Sequence, residues 1–225
     1  IYNMVPIGLV LKMVIGSVDK FVKKNDHSIK LRETKSLKYI LSKEQVSALK
    51  FLEKTKNKFE VSVLQGTTGS GKTLVYFERI KKIIKEKKQA LVLLPEIFLT
   101  NDFKLRFEDF FGFEPSIWHS KITPKQKRII WKGIIGNKIK ILIGARSALL
   151  LPFKKLGIII VDEEHDTSYK QDDRVIYNAR DMAISRAKFE KIPIHLVTSI
   201  PSIETYNNIE NRKYRHTKIL KRFDN

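Results

Sequence analysis

The 225-residue sequence contains no cysteine. That excludes a disulfide framework and every thiolate metal site, zinc included. Its five histidines (His27, His119, His165, His195 and His216) are far apart, so no local metal motif can be drawn from them. Acidic residues are few: 24 Asp+Glu against 44 Lys+Arg, a formal net charge of +20. Long hydrophobic runs are missing too. No apolar stretch reaches the roughly 18 residues of a membrane span. The segment Ile7–Ile15 is apolar, but it is short, carries Lys12 and lacks both a basic leader and a small-residue cleavage site. It does not read as a signal peptide, and the cytoplasm is the expected location.

What is present supports a folded domain. With 42% hydrophobic residues the chain can fill a core. Its length suits one large domain, or one domain plus a fragment. The first residue is Ile1, which suggests a piece of something longer. The basic excess is the usual footprint of a polyanion partner such as nucleic acid. The plainer explanation also stands: 33 of the 44 basic residues are Lys, as a compositional bias would give on an inert surface.

Residues 1–35 differ from the rest, with an apolar stretch followed by a charged run without motifs. They read as the tail of an upstream module plus a linker. From Ser36 onward, short apolar runs alternate with amphipathic segments. The runs are Phe59–Gln65, Ala90–Leu94, Ser116–His119, Ile139–Gly144, Gly157–Val161 and Ile194–Thr198. The helical candidates are Lys43–Glu53, Lys72–Lys87, Leu99–Phe110, Pro124–Gly133, Asn178–Phe189 and Ser202–Asn208. Runs that are apolar throughout predict strands buried on both faces. The expected class is α/β, a mostly parallel sheet with helices on both faces and ligands at the carboxyl ends of the strands.

One motif carries chemistry. Gly66-Thr67-Thr68-Gly69-Ser70-Gly71-Lys72-Thr73 fits G-x-x-x-x-G-K-[ST], with an apolar strand before it and a helical pattern after it. Glycines let consecutive backbone N–H groups point at phosphate oxygens, and the helix begins with its positive dipole end at the same anion. Lys72 is expected to reach the β and γ phosphates of ATP, and the Thr73 hydroxyl to be a Mg²⁺ ligand.

A second motif lies about 90 residues on. The strand at Gly157–Val161 ends in Asp162-Glu163-Glu164-His165. Asp162 is placed to hold the Mg²⁺ shell, and Glu163 to orient and deprotonate an attacking water. A charged cap on a buried strand would look similar. The phosphate loop on the same sheet favours nucleotide chemistry.

The words around these motifs are more specific. They are Leu94-Pro-Glu-Ile-Phe-Leu-Thr100, Trp118-His-Ser120, Ile143-Gly-Ala-Arg-Ser-Ala-Leu149, Pro152-Phe-Lys-Lys-Leu156, Val161-Asp-Glu-Glu-His-Asp-Thr-Ser-Tyr-Lys-Gln171 and Tyr177-Asn-Ala-Arg-Asp181. In this order, over about residues 36–210, the chain resembles the PriA family of bacterial replication-restart helicases. The resemblance implies an ATP-dependent 3′→5′ DNA helicase of superfamily 2 with two RecA-like lobes, of which only the first fits here (36–225). It makes residues 1–35 the remnant of an N-terminal DNA-binding region. It implies single-stranded and forked DNA, the second lobe, single-strand-binding protein and primosome components as partners, with no zinc in this chain.

By matching position, Gln45 would read adenine, its amide pairing with N6 and N7; the plainer alternative is an ordinary exposed helix residue. His165 would couple the nucleotide site to the DNA side. Pro95, Glu96, Thr100, Arg146 and Ser147 would line a single-strand track, with Arg146 equally at home as a surface ion-pair partner. Tyr169 and Lys170 begin the family's aromatic-rich loop. Tyr169 would stack on a base, or else pack that loop onto the lobe.

The chain departs from the family at Thr198-Ser-Ile-Pro201, where Ile200 replaces a hydroxyl residue and Val197 a glycine. In the aromatic-rich loop, Arg174 and Ile176 stand where Gly and Arg are expected. Without a second lobe there is no arginine finger, worth about 10³–10⁵ in rate, so this chain alone is expected to hydrolyse ATP poorly. The alternative is a truncated or degenerate lobe that binds DNA and nucleotide without productive hydrolysis. An unrelated P-loop enzyme, such as a small-molecule kinase, fits the specific words badly.

Overall fold

A computed structural model describes residues 40–54, 58–172 and 176–222. The expected remnant at 1–35 and the departure at Arg174 lie outside the described residues.

Helix α1 (Lys43–Glu53) starts at a reciprocal capping box: the Ser42 side chain accepts from Gln45 N, and the Gln45 side chain accepts from Ser42 N. Strand β1 (Glu60–Gly66) then runs into the phosphate loop. The chain continues as α2 (Lys72–Lys85), β2 (Gln89–Leu93), α3 (Asn101–Phe111), β3 (Ser116–Trp118), α4 (Pro124–Ile135), β4 (Ile141–Gly144) and β5 (Leu156–Asp162). After a two-stranded ribbon, β6 (Lys170–Gln171) with β7 (Tyr177–Asn178), come α5 (Ala179–Glu190), β8 (Pro193–Thr198), α6 (Ile203–Glu210) and β9 (Arg215–Ile219).

Seven strands form one sheet in the order β3-β4-β2-β5-β8-β1-β9, and every pairing in it is parallel. Alternation along each strand divides the core. Val61, Val63, Leu91, Leu93, Ile159 and Val161 face α4 and α5. Leu64, Ala90, Val92, Ile158 and Ile160 face α1, α2 and α3. Helices therefore cover both faces, as a sheet of doubly apolar strands requires. The topology sets β1 and β5 on either side of β8, so the loops leaving β1 and β5 open on the same rim.

Candidate nucleotide site

The loop after β1 curls because Gly69 (φ 81) and Gly71 (φ 78) occupy the left-handed region. Gly71 is the N-cap of α2 and no side chain caps that helix. Among the described residues, the other α-helices each have a capping side chain: Ser42, Thr100, Thr123, Asn178 and Ser202. The first N–H groups of α2 are left for an anion, at the positive end of the helix dipole.

Lys72 is buried, and its ammonium donates to Gly66 O at 2.7 Å and Thr67 O at 3.3 Å. It is held over the hollow of its own loop. Lys72, Thr73, Asp162 and Glu163 line one cleft of about 570 Å³. The far wall comes from Phe98, Thr100, Asp102, Phe103 and Arg106, around the start of α3. Of these, sequence reasoning singled out Thr100 alone, and for DNA.

Asp162 ends β5 inside the protein. Its Oδ2 accepts from the Tyr76 hydroxyl at 2.9 Å, and its Oδ1 from Glu163 N at 3.0 Å. Burial, and next the Glu163 charge, raise its pKa to about 6, against the pull of Tyr76, the Glu163 N–H and Lys72. Thr73 also acts on the Tyr76 hydroxyl, lowering its pKa. The phenol thus sits between the two residues expected to ligate Mg²⁺. Its own pKa is pushed well up, first by burial and then by Asp162.

Glu163 has φ 48, in the left-handed region that glycine usually fills. Its Oε2 lies 3.7 Å from His165 Nδ1. His165 Nδ1 is 2.8 Å from Thr198 Oγ1, and Thr198 Oγ1 donates to Ile200 O at 2.7 Å. Thr198 Oγ1 thus links the His165 ring to the backbone at Ile200. The hydroxyl that meets His165 belongs to position 198. Ile200 is 72% exposed and contributes only a carbonyl.

Gln45 is fully buried and its amide is engaged at both ends. Oε1 accepts from Ser42 N at 2.9 Å, and Nε2 donates to Ser70 O at 3.0 Å. In this arrangement Gln45 braces the phosphate loop, and reading adenine would require the side chain to leave these partners. Arg222 lies against the same loop, its Nε 3.1 Å from where a Cβ on Gly69 would stand.

The expected DNA track separates into parts. Tyr169 does not stack on a base here: it is 1% exposed, with its hydroxyl 2.6 Å from Asp162 O and 2.9 Å from Leu93 O. It fastens β5 to β2, which is the packing alternative. Pro95 is buried as well. Thr100 caps α3 by accepting from Phe103 N. Glu96 accepts from Ser120 Oγ at 3.1 Å, and Ser147 Oγ from Trp118 Nε1 at 3.1 Å. Arg146 donates to Lys170 O, while the Lys170 ammonium is exposed beside Asp172 at 3.2 Å. Glu96, Ser147 and Lys170 reach the surface at the carboxyl rim of β2, β4 and β5.

The carboxyl end of a parallel sheet, an uncapped helix facing an acidic strand tip, and one cleft shared by both motifs make a single candidate site. The sequence matches the DEAD/DEAH box helicase family over residues 35–206. The chain belongs to that family. It is similar to Replication restart protein PriA of Rickettsia felis, 45% identical over 218 residues, covering 94% of this chain and 33% of the relative. It is 45% identical over 167 residues to the same protein of Haemophilus influenzae, covering 74% of this chain and 23% of the relative. The chain thus spans about a third or less of these relatives. Among solved structures, RecG bound to a three-way DNA junction shares the fold with TM-score 0.62 at 18% identity, covering 99% of this chain and 26% of RecG. The helicase MrfA bound to DNA gives 0.54 at 19%, covering 81% of this chain and 26% of MrfA. Family members use ATP and Mg²⁺ in general. Among the described residues, no helix is long and apolar enough to cross a membrane.

Proposed function

We propose that this chain is the ATP-binding lobe of a PriA-like 3′→5′ DNA helicase that acts in replication restart and primosome assembly. A second lobe, supplied by the rest of such a protein, would complete the motor. One observation carries the reading: Lys72 and Thr73 of the phosphate loop line the same cleft as Asp162 and Glu163 of the strand tip.

In that role Lys72 exchanges its loop carbonyls for the β and γ phosphates. The N–H groups of α2 hold the triphosphate from the same side. Thr73 and Asp162 fit a magnesium shell, one hydroxyl and one carboxylate beside a phosphate cradle. When bound, the ion neutralises charge on the β and γ oxygens. Glu163 orients the attacking water and takes its proton. His165 passes the state of the site to Thr198 and the segment leaving β8. DNA, single-stranded or at a fork, would cross the exposed rim at Glu96, Arg146, Ser147 and Lys170. Single-strand-binding protein, primosome components and a cytoplasmic location follow from the PriA likeness alone.

The test is equilibrium binding of ATP with Mg²⁺. Lys72→Ala should weaken it by two orders of magnitude or more, about 3 kcal/mol for a charge-assisted phosphate contact. Tight binding that survives the substitution would sink the proposal.

A further inference from the structure

Glu164, the third residue of the acidic strand tip, has no part in the chemistry above, yet it is the most heavily bonded side chain near the site. Its side chain is fully buried. Oε1 accepts from Ser202 N at 2.8 Å. Oε2 accepts from Thr205 Oγ1 at 2.9 Å, Ser202 Oγ at 3.1 Å and Arg180 Nη1 at 3.3 Å. Its own N–H donates to Val197 O at 3.1 Å. Arg180, 7% exposed, closes the cluster by donating to Ser202 Oγ at 2.6 Å, with Asp181 at 2.8 Å and Glu204 at 3.5 Å on its outer side.

Three segments meet at this carboxylate: the strand tip, the start of α5 and the start of α6. Beside it, Glu163 holds a left-handed backbone, which an L-residue seldom adopts. On the amino side, Asp162 is tied down by Tyr76 and Tyr169. On the carboxyl side the tie is Glu164. A buried carboxylate with four donors is a stronger constraint than a loop needs merely to turn.

Building on the nucleotide-site reading, we propose that Glu164 and Arg180 are a positioning pair. They fix the backbone of Glu163 in its water-orienting pose and act on the transition state through that residue, without touching nucleotide. The pair should matter little for holding ADP and much for recognising a mimic of the transferring phosphoryl group and its attacking water, since only the latter uses Glu163.

The test uses this chain with Mg²⁺ and compares its affinity for ADP with that for ADP plus aluminium fluoride. Glu164→Met alone would strand a buried guanidinium and risk unfolding. The informative variant is therefore Glu164→Met with Arg180→Met, an apolar pair of similar bulk, checked by urea unfolding. It should bind ADP within about twofold of the unmodified chain, yet lose at least about tenfold of the preference for the fluoride complex. Glu164→Gln, which keeps an acceptor for Ser202 N, should retain most of that preference. A folded Met–Met variant with its full preference would overturn the proposal. So would an unmodified chain that binds ADP but shows no preference at all. A failure of the unmodified chain to bind ADP is a separate result, and it would remove the nucleotide-site reading and this pair's role together.

Discussion

The Tyr76 hydroxyl donates to Asp162 Oδ2 across 2.9 Å of protein interior, one turn of α2 beyond the threonine expected at the metal. The phosphate-loop helix and the acidic strand are thus joined by a neutral donor on a carboxylate that burial makes hard to ionise. A charged carboxylate buried in this way is costly at neutral pH.

Asp162→Asn should therefore stabilise the ligand-free chain. The folded pKa of about 6 lies above the ordinary 3.8, so the stabilising share of Asp162 is complete below about pH 4 and is lost as pH rises through 6. At pH 7.5 the amide should gain up to about 3 kcal/mol in urea unfolding. The same substitution should abolish the Mg²⁺-dependent part of nucleotide binding. An Asn variant less stable than its parent at pH 7.5 would contradict the account.

His195 predicts the opposite pH behaviour. It lies on β8 opposite Ser62 of β1, fully buried, with both ring nitrogens lacking a hydrogen-bond partner. Burial, and next the Arg79 charge, lower its pKa from 6.5 to about 3. Its neutral form is favoured in the fold, so stability is intact above about pH 6.5. It should fall by up to about 1.4 kcal/mol per unit as the pH drops towards 3. His195→Gln should flatten that slope in denaturation curves taken between pH 7 and 4.5.

Thr198 and Ile200 should respond very differently. Thr198→Val removes the hydroxyl that meets both His165 and Ile200 O, and should cost about 1–2 kcal/mol. Ile200→Thr, which restores the family's hydroxyl, should stay within about 0.5 kcal/mol because the side chain faces solvent. Thermal unfolding of the two variants side by side checks this.

Tyr169→Phe should leave affinity for single-stranded DNA within about twofold, because the ring is out of reach of a base, while costing about 1 kcal/mol of stability. Lys170→Ala should do the reverse. Its salt dependence should be shallower by about 0.7 in log K against log salt, as expected when one fewer phosphate is neutralised. Titrations at several salt concentrations separate the two.

Much of this was legible in the sequence because the strands are buried on both faces. Ile158–Val161 and Ala90–Leu93 have no polar side to disguise them. The missed strand β9 reads Arg215-His-Thr-Lys-Ile219 and forms the edge of the sheet beside β1, where polar residues are tolerated. The phosphate loop and Asp162–Glu163 could be read because their chemistry depends on neighbours in sequence. Tyr76 had one available signal: it lies three residues after Thr73 and so on the same helix face. The Glu164–Arg180 pair had none, since its partners come together only when α5 and α6 pack against the strand tip. For Tyr169 the sequence left base stacking and packing open, because an aromatic in a polar loop looks exposed until the fold turns it inward.

Strand β9 also has a mechanical side. It runs parallel to β1 with Ile219 opposite Gly66, and just beyond it Glu44 accepts from Leu220 N at 2.9 Å and Lys221 N at 3.1 Å. Tension on the polypeptide past residue 219 would load these bonds in shear and arrive at the mouth of the phosphate loop, where Arg222 already rests on Gly69. The end of β9 is thus fastened beside the phosphate loop, on one side by β1 and on the other by Glu44.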